Sequence, residues 1–144
     1  MTKLSRNEIV AMTPKQLNEA VAIEKGWKKV PSIGDVKFEH VVWIVPNQAW
    51  RQYTPDYCSD ENSASLLDDL IARGREVAVV YSQEKKMWAA SITVDWKHDI
   101  TDLGMCKAWI RDDEFSPTRG EAIAKCWLIV VNEERWNANR QDRQ

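Results

Sequence analysis

The stretch SPTRGEAIAKCWLIVV, residues 116–131, constrains the fold more than any other part of the chain. Ala122, Ile123, Cys126, Trp127 and Val130 recur at helical spacing, and Leu128, Ile129 and Val131 widen that stripe around most of the circumference. Such a helix is mostly buried and needs other elements laid against it. Its start is marked by Ser116 or Thr118 as the cap, Pro117 near the first turn, and Thr118 with Glu121 at capping-box spacing.

The rest of the chain supplies cover. In MTPKQLNEAVAIEKGW, Thr13 caps a helix, Pro14 takes its first position and Gln16 completes a capping box. Met12 and Leu17 stand at staple positions, and Leu17, Ala20, Val21 and Ile23 form a stripe that stops at Gly26. Residues 6–11 before it suit one short turn. HVVWIVP is apolar at both parities, which predicts a strand covered on both faces and ended by Pro46. A second helix is expected from Asp60 as its cap to Arg73, with Gly74 as its stop. Ala64, Leu66, Leu67, Leu70 and Ile71 would be buried, and Asp68 and Asp69 would face away. Residues 75–96 read as a β-hairpin turning at 83–86, with Trp88, Ala90, Ile92, Val94 and Trp96 on one face. A further strand is expected within 104–112. The fold class is therefore α+β, an α/β sandwich in which a small, mainly antiparallel sheet is packed by about three helices. Residues 1–136 form a single domain and 137–144 a polar, disordered tail.

The net charge of -2 gives no general grip on nucleic acid, and no stretch has the length of apolar residues that a membrane span needs. Cys58, Cys106 and Cys126 are an odd number without CxxC spacing, so neither a disulfide framework nor a zinc site is expected, and a reducing cytoplasm fits. His40 and His98 lack partners at ligand spacing, and no cofactor or metal is expected. Eight tryptophans against two phenylalanines is the unusual feature, and most of them are assigned to core packing.

The succession of MTPKQLNEAVAIEKGW, then YTPDYCSD opening a helix, then a hairpin carrying a tryptophan, then SPTRGEAIAKCWL resembles the bacteriophage ABA sandwich domain family. More distantly it resembles the NinX-like phage proteins. The resemblance spans most of the chain, and it implies a phage-encoded α/β sandwich of a group whose members mostly have no assigned activity.

The loop 46–60 is the candidate site. Trp50, Tyr53 and Tyr57 offer stacking surface, and Arg51 offers a planar fork for phosphate or carboxylate. The competing reading folds these rings back as a lid on the sheet, packed like an Ω-loop. Ser59, with Cys58 and Asp60, stands at a helix start where an anion is favoured and a thiol pKa lowered, although Asp60 and Glu61 already bring negative charge there. Arg111 completes the ligand-binding candidates. With no catalytic motif, the expected function is that of a phage accessory protein in the host cytoplasm. It would act by binding rather than catalysis and sequester a nucleotide-like defence signal. The alternative is a protein-binding inhibitor docking a Trp-rich surface on a host enzyme. A third reading is a metal-dependent hydrolase using Asp95, His98, Asp99 and Asp112. A Trp-rich sheet face would also serve a homo-oligomer.

Overall fold

The computed structural model describes residues 3–31, 41–48, 50–92 and 115–142, with side chains placed through residue 138 except those of 31 and 41. Helix α1 (Arg6–Val10) and helix α2 (Pro14–Glu24) each begin in a complete capping box, Ser5 with Glu8 and Thr13 with Gln16. Gly26, at φ +96°, turns the chain out of α2 into β1 (Lys28–Pro31), a left-handed conformation costly for any residue with a Cβ. Strand β1 pairs antiparallel with β2 (Val41–Ile44). Helix α3 (Asp60–Ala72) follows, then the hairpin β3 (Val77–Ser82) and β4 (Met87–Ile92), and last the long helix α4 (Arg119–Asp142). Among the described residues these are four helices and two separate two-stranded antiparallel sheets, an α+β fold.

Helix α4 is the centre. Every residue from Gly120 to Leu128 is buried, and α1, α2, α3 and β4 all pack against it. Leu17 and Val21 of α2, Leu66 and Leu70 of α3, and Ile123 and Leu128 of α4 are fully buried in one cluster. Each contributes about 1.5–3 kcal/mol of transfer free energy. The cap of α4 is Thr118, whose hydroxyl accepts from the Glu121 N–H at 3.2 Å. Ser116 is committed elsewhere: its backbone exchanges both hydrogen bonds with Trp88, which ties β4 to the start of α4. Buried Asn132 holds the N-terminal segment, donating to the Leu4 carbonyl at 2.6 Å and accepting from the Leu4 N–H at 3.3 Å.

Several sequence expectations change. The sequence pattern does not announce strand β1, because Lys28 and Lys29 hide its alternation. Strand β2 is covered on one face rather than two: Trp43 is 3% exposed while Ile44 is 43% exposed, since a two-stranded ribbon lays only one face on the core. The α3 cap is Ser59, not Asp60. The buried face of α3 is Ser63, Leu66 and Leu70, and Ala64 and Ile71 are exposed. That rotation brings Asp69 toward α4 instead of away from it. The backbone of residues 137–142, expected as a tail, continues α4. The strand expected within 104–112 lies outside the described residues.

Candidate functional site: the aromatic loop

Beyond β2 the chain turns through Asn47, at φ +60°, and comes back alongside the strand. Arg51 and Trp43 exchange both backbone hydrogen bonds at 2.8 Å each, a closely bonded antiparallel pair. Residue 51 therefore acts as a one-residue third strand on the β1–β2 ribbon. Alternation along this ladder sorts the side chains. Trp43 turns inward, meets Trp27 edge-on at 6.4 Å between ring centroids, and carries the Lys29 ammonium 5.8 Å from its ring. Arg51 stands across the ladder from that inward ring, and its guanidinium donates to the Trp50 carbonyl at 3.3 Å. Residues 44 and 50 fall on the opposite, outward face. Trp50 is 61% exposed there, beside exposed Ile44, and Tyr53 further along is 76% exposed.

The second half of the loop is built differently. Tyr57 is in the core cluster, 6% exposed. Its N–H donates to Asn18 Oδ1 at 2.8 Å, and Lys25 stands 6.0 Å from its ring and 5.3 Å from that of Trp127. Burial raises the phenol pKa. Asp56 organises the next residues: its carboxylate accepts from the Cys58 N–H at 3.1 Å and from Asn18 at 3.2 Å. Ser59 is occupied as a cap, accepting from the Asn62 N–H at 3.2 Å and donating to the Asp56 carbonyl at 2.8 Å. The Cys58 thiol is not lowered toward a reactive thiolate. Burial, then the charges of Glu121 and Asp56, push it up to about 12 against the opposing charge of Lys125.

The six sequence-selected residues thus divide. Trp50, Arg51 and Tyr53 lie on the open ribbon, with Arg51 across the ladder from Trp43 and not paired with Trp50 in a clamp. Tyr57 and Ser59 stabilise the fold. Arg111 lies outside the described residues, as do His40, Asp95, His98, Asp99 and Asp112. Among the described residues no group of three or more His, Cys, Asp or Glu is placed to hold a metal ion, and no helix is long and apolar enough to cross a membrane.

A second feature had no motif to announce it. Between β4, α4 and α1 lies a cavity of about 290 Å³, bordered by Ala90, Ile92, Ala122, Ile129 and the buried Lys125. Its only sequence trace is the small size of Ala90, Ser91 and Ala122, which leaves room where helix meets strand.

No family model matches the chain, and neither a curated protein nor a solved structure matches it.

Proposed function

We propose that the protein works by binding, not catalysis, and that its outward ribbon face, Ile44, Trp50 and Tyr53, docks on a partner protein. The observation that carries this is the exposure of Trp50 and Tyr53 on a backbone that is itself pinned by the Trp43–Arg51 pair. Large rigid rings held outward lose little conformational freedom on contact, and Trp and Tyr are enriched among residues that dominate interface energies. The resemblance of the segment order to phage proteins makes a host-cell protein the partner class to test first. A nucleotide-like ligand is the second reading. It rests on the stacking surface of the same two rings and the nearby Arg51 guanidinium, but small-ligand sites are concave, and the cavity just described lies elsewhere.

The test compares wild type with a Trp50→Ala/Tyr53→Ser double variant as baits in host lysate. A single stoichiometric protein partner captured by wild type and lost in the variant is expected. Equal capture by both, or tryptophan quenching by nucleotides without capture, overturns the docking assignment. Concentration-dependent mass in light scattering that vanishes in the variant would make a second copy of the chain the partner.

A further inference from the structure

The cavity between β4 and α4 has walls of two kinds. Ala90, Ile92, Ala122 and Ile129 give it an apolar side, while Arg6, Arg75, Lys125, Glu133 and Glu134 put charged residues on its border. Ligand pockets of about 300–1,000 Å³ combine these same ingredients, an apolar lining and a few polar groups that fix orientation. At about 290 Å³ this one suits a compact molecule.

The charges around it are unequally satisfied. Glu134 is held by Arg75 at 2.6 Å and by Arg73 at 2.9 Å, and Glu133 by Lys3 at 3.1 Å. Lys125, with only 10% of its side chain exposed, has its ion pair with Glu121 at 3.5 Å, near the outer limit of such contacts. An ammonium has three N–H donors, and among the described residues this long contact is the one ion pair or hydrogen bond of Lys125. A ligand that brings an anionic head to Lys125 and apolar surface to the facing wall satisfies both halves of the cavity.

We propose that this cavity binds a small amphipathic carboxylate, its head on Lys125 and its apolar body, of roughly six to ten carbons for a pocket at the lower end of the usual range, along Ala90, Ile92, Ala122 and Ile129. The site shares no residue with the aromatic ribbon, so it stands or falls independently of the docking face.

The full chain is titrated with octanoate, octanol and butyrate while backbone amide spectra are recorded. Octanoate is expected to shift the amides of Ser91, Ile92, Ala122 and Ile129 saturably. It is also expected to bind about tenfold or more tightly than octanol, which lacks the charge, or butyrate, which lacks the body. Lys125→Met brings octanoate down to the level of octanol, with folding judged from the same spectra. Should that variant not fold, the ratio of octanoate to octanol affinity on wild type decides alone. No saturable shift at millimolar octanoate, shifts confined to other regions, or equal affinity for octanoate and octanol on wild type overturns the assignment.

Discussion

The indole N–H of Trp127, on the buried helix α4, donates to the Asp69 carboxylate on α3 at 2.7 Å, and the same oxygen accepts from Arg73 Nε at 2.7 Å. Arg73 in turn reaches Glu134, further along α4, at 2.9 Å. One half-buried carboxylate therefore fastens the α3–α4 contact at its edge, where the apolar seam of Leu66, Leu70 and Leu128 gives way to solvent.

Trp127→Phe removes the donor together with the pyrrole half of the buried indole. The loss, hydrogen bond and cavity together, is expected to be about 2–4 kcal/mol, read as a lower urea midpoint with an unchanged slope. Burial alone would raise the Asp69 pKa, but the hydrogen bonds from Arg73 and Trp127 and the charges of Arg73 and Lys25 outweigh it and lower the value. A carboxyl lowered on folding stabilises the protein above its ordinary pKa, and that stabilisation is lost as pH falls through the folded value. The drop in urea midpoint between about pH 7 and about pH 3 should accordingly be smaller in Trp127→Phe than in wild type.

Gly120 is a packing glycine. A Cβ built on it would run into the backbone carbonyl of Cys58, so α4 and the loop before α3 would have to part. Gly120→Ala should cost about 3 kcal/mol or more, at the upper end of overpacking effects. Gly74→Ala is the control: its φ is +80° with nothing within 4 Å, and only the left-handed backbone penalty of about 1–2 kcal/mol applies. Chemical denaturation of the two variants side by side checks the order.

Cys58 should be slow to alkylate. With its pKa pushed up to about 12 by burial and the nearby carboxylates, the thiolate is scarce at neutral pH. Its carboxamidomethylation, followed by peptide mass spectrometry, should run more than about tenfold slower in the native protein than in urea. An acid whose pKa rises on folding stabilises the protein fully below its unfolded pKa, and that stability is lost as pH rises through the folded value. The Cys58 contribution therefore fades from about pH 8.5 upward.

Trp43 and Trp50, seven residues apart on one ribbon, should respond oppositely. Trp43→Ala empties a core position and is expected to cost about 3–5 kcal/mol. Trp50→Ala, on the outward face, should stay within about 0.5 kcal/mol of wild type in thermal or urea unfolding. A large destabilisation by Trp50→Ala would show that its ring is packed and not presented.

The caps of α2 and α4, the glycine stops and the buried nature of α4 were legible in the sequence because they are local, whereas the cap of α3 falls on Ser59, one residue before the expected Asp60. A capping box, a positive-φ glycine and an apolar run each act within about one helical turn. The hairpin was legible for the same reason, its strands being joined by a short turn. What tertiary structure alone decided is which face of each element looks inward. The aromatic loop shows this most plainly: Trp50, Tyr53 and Tyr57 are equally aromatic in sequence, yet Tyr57 is held in the core by Asn18 of α2 and Lys25 just past its end while the other two stay outside. The same holds for Asp69, assigned to solvent by its charge and claimed by an indole 58 positions away, and for the cavity, which exists only where small residues of β4 and α4 meet. Orientation between distant segments is set by long-range packing, which depends on pairs of residues that no local pattern brings together.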